Sequence, residues 1–338
     1  MIKVLIVGDS NWHGSWTEST ISAFKAVADV DFFSYLDNAP TLRNIIRDKL
    51  IQFALLGKLY KKHAALKSRL ERFLSNKTYD LILVLRGDTL EREEILLLRE
   101  HTRSLCTWWV DNVFDFPNFL VSLDLFDVFY IFDSFYIEPL LTKGCKRVHY
   151  LPCASNTITY SPGPVDKDFE CDIGFVGSYF PSREKLFENF TDSSLKIKIW
   201  GPSWQRSGLD QFFKIYPDAI QGSYLSNQDA TKLYRSAKIL LNHNAPQTRY
   251  DGLNQRTFEI LSCKAFQLVD FRDGFTSIFK DKKELVYFYD PAEIPELVSI
   301  YLEKEKERRL ISVAGFDLVS KDHSFDSRVK KILETIGV

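Results

Sequence analysis

The residues best suited to chemistry lie in Asp251-Gly252-Leu253-Asn254-Gln255-Arg256-Thr257-Phe258-Glu259. This stretch reads as a loop entering a short helix at about Asn254, with a strand at 266–269 behind it. The first turn of a helix offers unpaired backbone N–H groups, and Arg256 adds a guanidinium, so the turn suits a diphosphate. Glu259, in the second turn, can accept from ribose hydroxyls, and Asp251 stands eight positions earlier, just ahead of the helix. Gly177-Ser178 closes an apolar run and offers N–H and hydroxyl donors, with Arg183 one short loop away. A guanidinium there would stabilise the charge that grows on a departing diphosphate; the plainer reading of Arg183 is an exposed residue at a helix start. Trp200, before Gly201-Pro202, and Tyr224 suit a base or a sugar, and equally suit a core.

The N-terminal half carries a second set. Gly8-Asp9-Ser10-Asn11-Trp12-His13-Gly14 leaves the first apolar run and enters a helix. Its spacing is neither the dinucleotide G-x-G-x-x-G nor the P-loop G-x-x-x-x-G-K, so it is read as a sugar- or anion-binding turn, or simply a tight strand-to-helix turn. His13 in that turn can act as a base or bind a hydroxyl; capping or packing accounts for it as well. Asp111, after Trp108-Trp109-Val110, projects from a strand end, where a carboxylate orients hydroxyls or takes a proton; the competing reading is a helix N-cap.

Between 41 and 72 nine basic residues, from Arg43 to Arg72, face only Asp48 and Glu71, interleaved with leucines. A basic amphipathic helix over 43–72 can lie on an anionic bilayer or attract an anionic acceptor, and can also be a solvated face packed on a sheet.

The elements that would hold these groups follow from periodicity. Apolar runs at 2–7, 30–35, 81–85, 105–110, 128–132 and 148–151 alternate with helical patterns at 15–28, 41–74, 91–101 and 134–142. After a Ser-Pro-Gly-Pro stretch the pattern restarts, with strands at 171–176, 197–200, 239–241, 266–269 and 286–288 and helices at 227–236, 256–263 and 291–307. Buried parallel strands joined by helices describe an α/β chain of two doubly wound domains, whose ligands lie at the carboxyl ends of the strands. The expected division is a domain at 1–155, a linker at 156–168, a domain at 169–322, and a last amphipathic helix within 323–338 that crosses back to the first domain. Charged residues make up 26%, apolar residues 45%, and the net charge is -1, which excludes a disordered tail and gives no general nucleic-acid footprint. Five cysteines without a C-x-x-C pair argue against a zinc knuckle or disulfide framework. With no apolar stretch near ~20 residues, the chain is expected to be cytoplasmic, at most peripheral at the inner face of a membrane.

These residues carry a resemblance. Asp251 and Glu259 resemble the E-x7-E segment of the group 1 glycosyltransferases, with Asp in place of the first Glu. Asn254-x-Arg256-x-Phe258-Glu259 followed by Phe266-x-Leu268 is similar to the C-terminal domain of the CgeB-like (spore maturation protein) glycosyltransferases. Phe175-Val176-Gly177-Ser178 with Arg183, Ile199-Trp200-Gly201-Pro202, Lys238 to Asn242, and His323-Ser324-Phe325 with Arg328 fit the same family. The likeness covers roughly 170–335. It implies a GT-B architecture of two Rossmann-like domains facing across a cleft. The second would hold a nucleotide-diphosphate sugar through Gly177, Ser178, Arg183, Trp200, Gly201, Tyr224, Asp251, Asn254, Arg256 and Glu259. The first would hold a glycan, lipid-linked or protein acceptor near His13 and Asp111, with His13 and Asp111 as catalytic candidates. No metal and no cofactor are implied; the lone D-x-D, Asp29-Val30-Asp31, is read as surface charge. The implied activity is a retaining transfer, from the resemblance of the Asp251 to Glu259 spacing to that family's segment. The alternatives are a nucleotide-sugar-binding or degenerate transferase serving as a partner protein, and a nucleotide-sugar epimerase. Lys264 stands where the family usually has glycine.

Overall fold

The computed structural model describes residues 1–9, 16–36 and 55–338, which divide into two compact units: Met1–Pro152 with Val329–Val338, and Cys153–Arg328. His13 and the first part of the basic segment lie outside the described residues.

The first unit runs β1 (Lys3–Gly8), α1 (Trp16–Lys25), β2 (Asp29–Ser34), α2 (Leu55–Leu74), β3 (Tyr79–Leu85), α3 (Arg92–Glu100), β4 (Thr102–Trp109), α4 (Pro117–Leu120), β5 (Val128–Ile131), α5 (Ile137–Thr142) and β6 (Val148–Tyr150). Its six strands are parallel in the order β2-β1-β3-β4-β5-β6, with Val7 opposite Val84 and Gly8 opposite Ser34. β1, β3 and β5 are nearly continuous apolar runs because both faces are covered. Of the basic residues on α2, Lys67 pairs with Glu93 at 2.7 Å, and Arg69 donates to the Ser34 carbonyl at 3.0 Å and lies over Phe33. Arg72 bonds back to the Ser68 carbonyl.

The second unit runs β7 (Cys171–Val176), α6 (Pro181–Glu184), β8 (Ile197–Trp200), α7 (Asp210–Ile215), β9 (Ile220–Gly222), α8 (Asn227–Ser236), β10 (Ala237–Asn242), α9 (Gln255–Ser262), β11 (Gln267–Asp270), β12 (Val286–Phe288), α10 (Ile294–Glu303), α11 (Glu305–Asp322) and α12 (Phe325–Ile336). Its sheet is again six parallel strands, ordered β12-β11-β10-β7-β8-β9. From Val329 onward α12 belongs to the first unit, where the Tyr130 hydroxyl donates to the Ile332 carbonyl at 3.3 Å.

Two differences from the expected elements have clear causes. The helix expected at 291–307 ends at Glu303, and a separate helix, α11, begins at Glu305. α11 escapes a periodicity reading because it buries Arg308, Ser312 and Gly315 alongside Ile311 and Val319. A Cβ on Gly315 would lie 2.4 Å from the Glu284 carbonyl oxygen, so close packing rather than an apolar stripe holds this helix. Residues 156–168 form no helix or strand, yet they are packed on the second unit. Tyr160 is buried and stacks on Tyr234, and Arg235 Nε donates to the Ser161 carbonyl at 2.7 Å.

Candidate functional site

In the second unit the chain passes from β7 to β8 on one side and, after β9, resumes at β10 on the other side of β7. The carboxyl ends of β7 and β10 therefore flank a topological switch point, where open α/β sheets bind ligands. Gly177-Ser178 follows β7, and His243-Asn244 follows β10. Arg183 joins the two strand ends: Nη1 donates to the Ser178 carbonyl at 2.6 Å and Nη2 to the His243 carbonyl at 3.2 Å. The guanidinium lies 4.9 Å from the Phe180 ring and 5.5 Å from the Phe175 ring, and the residue is 5% exposed. Gly177 makes this room, since a Cβ there would stand 2.8 Å from Arg183 Nη1. Arg183 Nε is buried without a partner. Burial, then the neighbouring Arg256 guanidinium, push Arg183 down to about 9, so it stays cationic at neutral pH.

The start of α9 is fixed by a network of side-chain amides. Asn254 caps the helix, its Oδ1 accepting from the Thr257 amide at 3.0 Å, while its own amide donates to Asn244 Oδ1 at 2.8 Å. Asn254 Nδ2 donates to Asn242 Oδ1, and Asn242 Nδ2 reaches both Thr257 Oγ1 at 2.9 Å and Gln267 Oε1 at 3.0 Å. Asp270 accepts from the Asn244 amide at 2.8 Å and pairs with Arg272 at 3.1 Å. β10, β11 and the helix start are thus locked to one another. The amides of Gln255 and Arg256 have no partner among the described residues and remain as donors on the helix axis. Arg256 lies near the Tyr234 hydroxyl and is attracted by Glu259. Glu259 accepts from Gln255 Nε2 at 2.8 Å; burial holds its carboxyl above the usual range. His243, 9% exposed, has a buried Nδ1 without a partner, and burial lowers its affinity for a proton. The result is a cation pair, two helix amides and a neutral imidazole around one strand-end crevice, an arrangement that can hold a diphosphate and take up charge as it leaves.

Comparison with known proteins bears on this site. Residues 183–334 match the family model described as glycosyl transferase-like. The chain is 19% identical over 268 residues to the spore protein CgeB of Bacillus subtilis (strain 168), covering 75% of this chain and 81% of that protein. Its fold matches that of Anabaena HepE, solved in complex with UDP and glucose, at a TM-score of 0.66 and 12% identity, covering 100% of both chains. It also matches a glycosyltransferase from Rickettsia africae ESF-5 at a TM-score of 0.65 and 12% identity, over 99% of this chain and 97% of that one. Residues 183–334 are thus similar to a glycosyl transferase-like domain, and the chain has a GT-B fold.

In the second unit the expected donor residues fall into separate groups. Gly177, Ser178, Arg183, Asn254 and Arg256 come together as described. Asp251 is buried in the loop before α9, where a Cβ on Gly274 would stand 2.7 Å from its own Cβ. Tyr224, 67% exposed, follows β9. Two of the expected donor residues have packing roles. Trp200 is a core residue, stacked on Phe169 at 5.8 Å. Gly201 is required by packing: at φ 151° a Cβ would lie 1.9 Å from the Gly177 carbonyl oxygen. The polar residues the sequence reading missed are His243, Asn244, Asp270 and Arg272. The only sequence signal for them was their position directly after apolar runs.

In the first unit, Asp111 follows β4 and pairs with Arg86 Nη1 at 3.1 Å, while Arg86 Nη2 lies 3.3 Å from Asp88. The helix cap is its neighbour Asn112, whose Oδ1 accepts from the Phe114 amide, so the N-cap alternative for Asp111 does not hold. Burial, reinforced by Asp88 and Asp115 and opposed by Arg86, raises the Asp111 carboxyl. Arg86 was not anticipated from sequence. Among the described residues no three His, Cys, Asp or Glu side chains gather as a metal site would, and no helix is long and apolar enough to cross a membrane.

Proposed function

We propose that this glycosyltransferase moves a sugar from a nucleotide-diphosphate sugar to a hydroxyl of a glycan, lipid-linked or protein acceptor. The donor diphosphate lies between Arg183, Arg256 and the start of α9. The observation that carries this reading is the buried Arg183 guanidinium with its unpartnered Nε, set at the switch point beside two open helix amides. Breaking the bond between the sugar and the diphosphate leaves negative charge on the departing oxygen, and donors already fixed in place stabilise it without reorganising. The same cations support a reaction that requires no metal. Asp111, with its carboxyl raised by burial, is the proton acceptor in this reading, and Asp251 with Glu259 supports retention of configuration. Solved relatives of this fold that were captured with UDP and UDP-glucose support a uridine donor as the first to try.

The test is a thermal-shift and turnover panel of UDP-, GDP- and dTDP-sugars on the whole chain. A nucleoside diphosphate that stabilises the fold, with its sugar consumed only when an acceptor is present, supports the reading. Stabilisation without consumption of any donor would make the chain a binding protein. NMR of the product's anomeric proton decides retention. Docking of the basic 43–72 segment on anionic lipid, which rests on charge, is decided by liposome co-sedimentation with Lys58, Lys61 and Lys62 neutralised.

A further inference from the structure

A cavity of about 510 Å³ lies in the second unit between the end of α8, the starts of β10 and β11, and the first turns of α11. Five cations line it, Arg235, Lys238, Lys264, Arg308 and Arg309, against one carboxylate, Glu305. Lys238 pairs with Asp172 at 2.7 Å and Arg309 with Glu305 at 2.6 Å. Arg235, Lys264 and Arg308 have no carboxylate partner among the described residues. Like charges held around one cavity repel, and an anion relieves that repulsion. Both guanidinium groups are fixed in place. Arg235 donates to Ser161, from Nε to the carbonyl at 2.7 Å and from Nη2 to the hydroxyl at 3.2 Å. Gly163 makes room for it, since a Cβ there would stand 2.6 Å from Nη1. Arg308 gives Nη1 to the Tyr301 and Leu302 carbonyls at the end of α10. Arg235 Nη1 and Arg308 Nη2 then have no acceptor among the described residues.

Lys264 is placed there at a conformational cost. After α9 the Lys264 amide donates to the Leu261 carbonyl at 2.9 Å and the Ala265 amide to the Ile260 carbonyl at 3.3 Å, with Lys264 at φ 58°. This is the Schellman turn, whose left-handed residue is most easily glycine. A helix end does attract a cation, but that attraction needs no companion arginines. Here the exposed lysine lies over the Phe316 ring at 5.6 Å and lines the cavity that Arg235 and Arg308 also line. Guanidinium forks match phosphate oxygens, and a lysine adds a point charge. Val165, Phe266 and Val313 add an apolar wall, and the volume falls within the roughly 300–1,000 Å³ of small-molecule sites. We infer that the second unit binds a small soluble phosphate ester in this cavity, with its phosphate held by Arg235, Lys264 and Arg308. The donor crevice is a separate place: Asn254 caps one end of α9 and Lys264 follows the other, about 12 Å away for eight residues at roughly 1.5 Å each. The inference does not rest on the glycosyltransferase reading.

The experiment is calorimetric titration of the whole chain with glucose phosphate, ribose phosphate and glycerol phosphate, each beside its unphosphorylated parent and inorganic phosphate. At least one ester is expected to bind saturably, about tenfold or more tighter than its parent and than inorganic phosphate. Lys264→Gly removes the charge and suits the left-handed turn, so that ester should weaken about tenfold while urea stability stays equal or rises. Lys264→Arg, which keeps the charge, should bind the ester within about threefold of wild type. Arg183→Lys, in the donor crevice, should leave ester affinity within about twofold. The inference is overturned if no ester binds saturably, if a parent or inorganic phosphate binds as tightly, or if Lys264→Gly leaves affinity unchanged. Loss of ester binding in Arg183→Lys would overturn it too, by moving the ester to the donor crevice. Co-sedimentation with phosphatidylglycerol vesicles that Lys264→Gly abolishes, without binding of any soluble ester, would give the cations to a lipid headgroup and overturn the soluble ligand.

Discussion

Arg183→Lys separates anion recognition from support of the fold. Lysine keeps the charge but replaces a planar fork with a single point of donation. The fork now spans two carbonyl oxygens, Ser178 at 2.6 Å and His243 at 3.2 Å, with Nε left over. An ammonium group cannot serve both carbonyls and the diphosphate from one position, so at least one charge-assisted bond is lost. Such a bond is worth about 1.5–3 kcal/mol, which corresponds to roughly ten- to a hundredfold in donor kcat/KM. Because charge on the diphosphate is greatest in the transition state, most of the loss should fall on kcat rather than KM. Calorimetry then separates the roles, using the nucleoside diphosphate that the wild type binds and the matching nucleoside. The diphosphate should lose about tenfold or more in affinity while the nucleoside changes by less than about twofold. Equal losses for both would mean that Arg183 only props the strand ends, and an unchanged kcat/KM in a folded variant would remove it from the site.

Gly177→Ala should act like a mild version of that change, because the new methyl would displace the guanidinium 2.8 Å away; donor affinity is expected to fall with little loss in urea stability. Gly201→Ala has no such outlet, since its Cβ meets backbone at 1.9 Å, and should cost at least about 3 kcal/mol or prevent folding, as read from soluble yield and unfolding curves. Asn254→Ala removes the α9 cap and leaves Asn242 Oδ1 without its donor, an expected loss of about 1–2 kcal/mol in urea unfolding. His323 is packed between Phe258 and Phe279 and accepts from Arg328 as a neutral ring; burial, then Arg328, push it down to about 3. The unfolded chain binds this proton first, so stability is lost as pH falls from about 6.5 towards 3, by about 2 kcal/mol at pH 5. His323→Gln should remove that slope from unfolding curves taken between pH 5 and 6.5.

The strands were legible because parallel sheets covered on both faces need long apolar runs, and β1, β3 and β7 supply them. The anion site was legible in part, because a glycine after such a run and an arginine at a helix start are local patterns. The partners that fix it were not: Asn242, Asn244, Gln267 and Asp270 act only through bonds between strands ten or more residues apart. Trp200 and Gly201 were ambiguous for a related reason. An aromatic-glycine pair at a strand end gives no sign in the sequence of its packing against Phe169 and the Gly177 carbonyl. Arg86 was hidden because nothing in Leu85-Arg86-Gly87-Asp88 marks the left-handed turn, φ 65° then 82°, that sets it between two carboxylates.

The assignment of Val329–Val338 to the first unit has a consequence for synthesis and for dissection. Ile332 is fully buried there, and its carbonyl receives the Tyr130 hydroxyl. The first unit to leave the ribosome is therefore the last to be finished: its core stays open until the whole of 153–328 has been made. A fragment cut at Pro152 would expose that core, and an isolated first unit would need residues 329–338 returned to it, in trans or through a short engineered tether.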